Sequence, residues 1–247
     1  MAKSVSIIIP TLSAKTKPYL DLCMQSINNL DYPKESIEIV ISSPKGYCPQ
    51  YPEAITYEHD GPRDFAEAVN LGVKRACPTT SFIFIASDDI IFTKDSLKNM
   101  VELAGDAKVI MNPISNCDNY WRYELPFYAG MTRIPMRFFR RTDIAGLEPE
   151  MMNAKSFFGP ALLFFESNCF YATMISRSTW NTVGELDARF KTGYEDTDYC
   201  KRAAEKGIRC ATALNALIWH FGGATSSDYV TDEMRISNVN LFKEKWG

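Results

Sequence analysis

Phe82, Ile83, Phe84, Ile85 and Ala86 form an unbroken apolar run that halts at Ser87, Asp88 and Asp89. β-Branched and aromatic residues without alternation predict a strand buried on both faces, which requires covering layers on either side. Acidic side chains at the C-terminal end of such a strand project from the edge where open α/β sheets bind ligands. Paired carboxylates there suit Mg2+ or Mn2+, which take oxygen ligands and are often shared with substrate phosphates. Asp is equally common in ordinary turns, so the pair alone leaves a solvated turn and a metal site both open.

The flanking sequence supplies the covering layers. Strands are predicted at Val5 to Ile9, Ile37 to Ile41, Ile55 to Tyr57, Phe82 to Ala86 and Lys108 to Met111. Helical spacing lies between them. Leu20, Cys23, Met24, Ile27 and Leu30 share one face, Phe65, Val69, Leu71 and Val73 are the apolar anchors of a second helix, and Leu97, Val101 and Ala104 face inward on a third. Alternating strand and helix predicts an α/β domain around a mostly parallel or mixed central sheet flanked by helices, with a Rossmann-like N-terminal half over 1–111. From 113 to 166 neither period holds. That excursion is rich in aromatics (Tyr120, Trp121, Tyr123, Phe127, Tyr128) and arginines (Arg133, Arg137, Arg140, Arg141), and long loops in compact domains usually bind something. Regularity returns with a strand over Cys169 to Ile175, a helix from Glu195 to Lys206, a strand over Ile208 to Ala213 and a helix from Asp232 to Lys245. Residues 112–247 thus form a second half of one domain spanning 1–247.

A net charge of −3 gives no global basic field for nucleic acid. The 7 cysteines contain no C-x-x-C pair, which argues against zinc and for free thiols in a reducing compartment. No segment has the length or apolarity of a membrane span, and the N-terminus lacks the pattern of a signal peptide. A cytoplasmic location is expected.

Two further constellations carry possible chemistry. Glu195, Asp196 and Asp198 open a helix, where acids favour the macrodipole and cap free N–H groups. A carboxylate at a cleft mouth is also how a general base is mounted. His220 ends the apolar segment Leu217-Ile218-Trp219 and precedes Gly222 and Gly223. It is either a structural hydrogen-bonder or a ligand for a divalent ion.

The order of these pieces resembles the family-2 glycosyltransferases of the GT-A fold. Val5 to Thr11 is similar to the family's opening strand and nucleotide-contacting turn. Phe65 to Gly72, with Asn70, resembles its A-x-N-x-G helix. Ile85-Ala86-Ser87-Asp88-Asp89 resembles its D-x-D-type metal motif. Val183 to Phe190 looks like the G-G-x-D-E-x-F segment bordering the acceptor. Gly193 to Asp198 resembles the E-D-x-D helix, and Trp219-His220 with the following glycines resembles the late H-x-x-G loop. The resemblance implies an inverting transfer from a nucleoside diphosphate sugar to a hydroxyl on a glycan precursor, protein, small molecule or modified DNA base. It implies Asp89, Asp88 and His220 as metal ligands for Mn2+ or Mg2+, Asp196 as base with Glu195 beside it, and Pro10, Thr11, Ser42, Asn70, Ser87 and Asp88 around the nucleotide. Two departures are visible: the turn after the second strand reads Ser42-Ser43-Pro44, without the usual acid that contacts the nucleobase, and the opening turn has Ser13 where asparagine is common. A non-catalytic nucleotide-sugar-binding module of the same fold is the alternative. A dinucleotide-binding enzyme is not supported, because no G-x-G-x-x-G follows the first strand.

Overall fold

The computed structural model describes residues 2–60, 64–115, 160–222 and 230–247. β1 (Val5–Pro10) passes through a single 3-10 turn (Ala14–Thr16) into α1 (Lys17–Asn28). Then come β2 (Ile37–Pro44), β3 (Ile55–His59), α2 (Phe65–Arg75), β4 (Phe82–Ala86), β5 (Ile90–Phe92), α3 (Ser96–Ala104) and β6 (Ile110–Ser115). Beyond residue 160 lie β7 (Leu162–Phe165), β8 (Ala172–Ser176), α4 (Arg177–Val183), α5 (Glu195–Ala204), β9 (Cys210–His220) and α6 (Asp232–Trp246).

The strands form one mixed sheet in the order β3-β2-β1-β4-β8-β6-β9-β5, with β7 added on β9. β3, β2, β1 and β4 run parallel. β8 is antiparallel to both β4 and β6, so it turns the parallel half into a mixed sheet at its centre. The unbroken apolar runs are explained by burial on both faces. Val5, Ile7, Ile9, Phe82 and Phe84 pack with Leu20, Met24 and Ile27 of α1 and with Leu97 and Met100 of α3. Ile8, Val40, Ile83 and Ile85 point the other way, onto Ala66, Val69 and Val73 of α2 and onto Trp180, Tyr199 and Cys200 of α4 and α5. Gly72 lets α2 approach β1 closely, because a Cβ there would lie 2.5 Å from Ile8 Cγ2.

Several boundaries differ from the sequence-based expectation. The segments expected as a strand over 208–213 and a separate Leu217–His220 lead-in are one strand, β9. A register shift takes the pairing from Pro113↔Ala213 to Ile114↔Leu217, and that irregularity interrupts the period. The irregular excursion is shorter than 113–166, since β6 runs to Ser115 and β7 occupies Leu162–Phe165. The aromatics and arginines of residues 120–141 lie outside the described residues. α4 was not anticipated: its seven residues are too few for a clear apolar period, and its start is set by Ser176, whose hydroxyl accepts from Thr179 N–H. Among the described residues, no helix is long and apolar enough to cross a membrane.

Candidate active site

β4 delivers two adjacent aspartates to the sheet rim, and they do different work. Ser87 turns the chain, its N–H donating to Tyr171 O at 2.7 Å. Asp88 is fully buried, and its Oδ2 accepts from Thr11 Oγ1 at 2.8 Å and Thr16 Oγ1 at 2.7 Å. That carboxylate ties β4 to the turn between β1 and α1. Asp89 is also buried, but its Oδ1 faces His220 Nε2 at 3.2 Å. The pair is fixed by backbone: Ile90 registers with His220, and Phe221 N–H donates to Asp89 O at 3.0 Å. The Tyr171 ring stacks on the imidazole at 4.6 Å with 14° between planes.

These two side chains fit a divalent cation. Asp89 Oδ1 is buried without a hydrogen bond of good geometry, an arrangement that is costly unless something else neutralises it. Adjacent ligands of an octahedral ion with bonds of about 2.1 Å sit about 3 Å apart, close to the separation seen. Among the described residues, no group of three His, Cys, Asp or Glu side chains converges on a metal position. An ion held by Asp89 and His220 would therefore keep positions for phosphate oxygens and water, as Mg2+ and Mn2+ commonly do.

The second acidic site opens α5. Thr192, Gly193 and Tyr194 have φ of 47°, 143° and 73°, and two of these residues carry side chains that disfavour positive φ. This turn aims Gly193 N–H at the Glu195 carboxylate, which accepts it. Asp196 Oδ1 accepts from Thr197 N–H at 2.6 Å and from Thr197 Oγ1 at 3.2 Å, and the Phe170 backbone favours the charged form of the carboxylate. Burial raises Asp196 above the usual carboxylate range. Burial first, and the neighbouring Asp196 charge second, push Glu195 up to about 8. Near neutrality the pair therefore keeps a proton, with one carboxylate free to act as a base. Asp198 is structural: it is fully buried and accepts from Arg202 Nε at 2.8 Å and Trp246 Nε1 at 3.0 Å.

The segment leading into β8 joins the two sites. The Phe170 backbone acts electrostatically on Asp196, while the next residue, Tyr171, accepts from Ser87 N–H through its carbonyl and stacks on His220 through its ring. Asp89, His220 and Asp196 thus share one rim. Pro10, Thr11 and Ser42 gather at the ends of β1 and β2: Pro10 registers with Ser42, and Thr11 N–H donates to Ser42 O at 2.9 Å. The Ser42 hydroxyl is buried without a partner. Asn70 stands apart. Its Nδ2 donates to Leu186 O and its Oδ1 accepts from Leu186 N–H, both at 2.9 Å, so both ends of its amide hold α2 to the 184–187 segment.

The sequence profile of glycosyl transferase family 2 matches residues 6–159. The chain belongs to that family. Solved structures agree on the architecture, which is the GT-A fold. A mannosyltransferase, PcManGT from Pyrobaculum calidifontis, in complex with GDP-Man and Mn2+, superposes with a TM-score of 0.63 at 18% identity, covering 99% of this chain and 64% of that one. GalNAc-T7 with UDP, GalNAc and Mn2+ gives 0.63 at 9% identity over 89% of this chain and 44% of that one. TarS of S. aureus gives 0.57 at 12% identity over 98% and 39%. This family-2 chain therefore spans less than two thirds of the length of each of these structures. Comparison with curated proteins returns no match.

Sequence reasoning missed three contributors. Thr16 helps anchor Asp88, Tyr171 covers His220, and Asn238 supports the turn before α5. None sits in a family-type motif, and each acts across a long sequence separation, so only tertiary contacts reveal them.

Proposed function

We propose that this chain transfers a sugar, with inversion, from a nucleoside diphosphate sugar to an acceptor hydroxyl, with Mn2+ or Mg2+ as cofactor. The observation that carries this reading is the shared rim: an Asp89–His220 pair suited to a cation and the Asp196 carboxylate, linked through Phe170 and Tyr171. Asp89 and His220 would hold the ion, which when bound offsets the negative charge that gathers on a departing diphosphate. Asp196 takes the proton from the acceptor hydroxyl as its oxygen bonds to the anomeric carbon and the bond to the diphosphate breaks on the opposite face. Glu195, held protonated at neutral pH, keeps the local charge to a single carboxylate and orients the acceptor. Pro10, Thr11 and Ser42 line the nucleoside pocket, with Ser87 at its floor. Asp88 and Asn70 serve as frame, through their bonds to Thr11, Thr16 and Leu186. The donors and Mn2+ named for the mannosyltransferase and GalNAc-T7 structures support the donor class.

Thermal shift against UDP-, GDP-, dTDP- and ADP-sugars with Mn2+ tests this. A donor at a hundred times its Kd adds about 2.7 kcal/mol, or roughly 5–10 °C for a chain of this size. Asp89→Ala should abolish the Mn2+-dependent part. No shift with any donor, or a shift unchanged in Asp89→Ala, would refute the proposal.

A further inference from the structure

α6 fully buries a single residue, Asn238, while the apolar side chains of Met234, Val239, Leu241, Phe242 and Trp246 are only half-buried. Phe242 packs its ring 5.0 Å from Tyr194 and 6.4 Å from Phe190, but the one fully buried group is an amide, so the destination of that amide matters. Asn238 Oδ1 accepts from Lys191 N–H at 2.8 Å, and its Nδ2 donates to Lys191 O at 3.0 Å. Lys191 is the last residue before the three left-handed residues that aim Glu195 and Asp196. Asn238 Nδ2 also lies 3.4 Å from where a Cβ on Gly193 would be. At its far end the same helix holds α5 from the other side, with Trp246 Nε1 donating to Asp198 at 3.0 Å and Lys245 Nζ pairing with Asp198 at 2.6 Å. α6 therefore grips the chain just before and just after the two carboxylates.

We propose that Asn238 is a positioning residue for the transfer reaction, holding the strained Thr192–Gly193–Tyr194 turn so that Glu195 and Asp196 meet the acceptor. This rests on the reading of Asp196 as base. Positive-φ residues with side chains persist only where their surroundings over-determine them; Phe242 and Phe190 pack on the Tyr194 ring, and the two bonds to Lys191 fix the backbone at the other end of the turn. Without them the turn relaxes, Gly193 N–H leaves Glu195, and the adjacent carboxylate shifts. A misplacement of about 1 Å is worth about a hundredfold in rate.

The test compares Asn238→Ala, Trp246→Phe and Asp196→Asn. Nucleoside diphosphate release is followed with whichever donor of the thermal-shift panel binds best, and backbone hydrogen exchange is measured without substrate. Asn238→Ala should lower kcat about 10- to 100-fold, leave donor KM within about twofold, and speed exchange at the amides of residues 193–197. Trp246→Phe should lower thermal stability without that loss of kcat. Wild-type kcat and exchange in Asn238→Ala would overturn the proposal, as would an equal kcat loss in Trp246→Phe, which would make α6 a general staple. Should Asn238→Ala not fold, Asn238→Ser carries the same two readings. Full turnover in Asp196→Asn would sink the base assignment itself, whereas loss there without loss in Asn238→Ala would sink only the positioning role.

Discussion

Replacing Asn70 separates a frame residue from a donor contact. Its side-chain amide makes two buried hydrogen bonds, both 2.9 Å, to the N–H and C=O of Leu186. Asn70→Ala leaves that N–H and C=O unpartnered beneath α2, and each such group costs about 1–3 kcal/mol. The sum centres on about 4 kcal/mol, and since each kcal/mol moves the Tm of a chain this long by roughly 2–4 °C, calorimetry should record a fall of about 10 °C. Asn70→Asp adds a sign check. Protonated, its carboxyl can donate to Leu186 O; ionised, it sets a charge against that carbonyl in a buried site. The folded-state pKa of the introduced group is therefore raised, and its ionisation opposes folding. Relative to wild type, that variant should be mildly affected near pH 4 and should fall below the Ala variant by pH 7. A Tm loss under about 2 °C for Asn70→Ala would refute the clamp. So would weakened donor binding at unchanged Tm, which would return Asn70 to the nucleotide contact its motif suggests.

Three other outcomes follow from the site. Asp196→Asn should keep donor binding by calorimetry while lowering turnover at least about a hundredfold, the usual size of a general-base contribution; near-normal turnover removes Asp196 from that role. Glu195 is raised to about 8 in the folded chain, so the native state keeps a proton the unfolded chain gives up, and stability declines as pH climbs from the ordinary glutamate range towards 8. Glu195→Gln should therefore gain Tm relative to wild type between pH 5 and pH 8, and a difference that stays flat with pH contradicts the raised carboxyl. Thr16→Val removes one of two hydroxyls from the buried Asp88 and should cost about 1.5–3 kcal/mol in urea unfolding, with the transition midpoint as the check; an unmoved midpoint argues against the anchor.

The parallel half of the sheet was legible because its signals are local. Unbroken runs such as Ile7–Ile9 and Phe82–Ala86 need two covered faces, and the helices between them carry a clear apolar stripe. The rim acids were legible as candidates, since they end a buried strand and open a helix. Their division of labour was not. Asp88 and Asp89 are adjacent in sequence, yet one meets two threonines and the other a histidine more than a hundred residues away. Likewise, nothing in the spelling of Glu195-Asp196-Thr197-Asp198 says that the last carboxylate serves Arg202 and Trp246. The extent of β9 was hidden for a different reason: its register shift at Ala213/Leu217 breaks the alternation that marks a strand.

The short lead-in to β8 acts as a ruler. Phe170 lies at the Asp196 end and Tyr171 at the His220 end, and extended chain advances only about 3.3 Å per residue. The gap between the proposed cation site and the proposed base would thus be inherited from main-chain geometry. Side-chain exchange elsewhere on the rim can retune which acceptor is admitted while that interval stays calibrated.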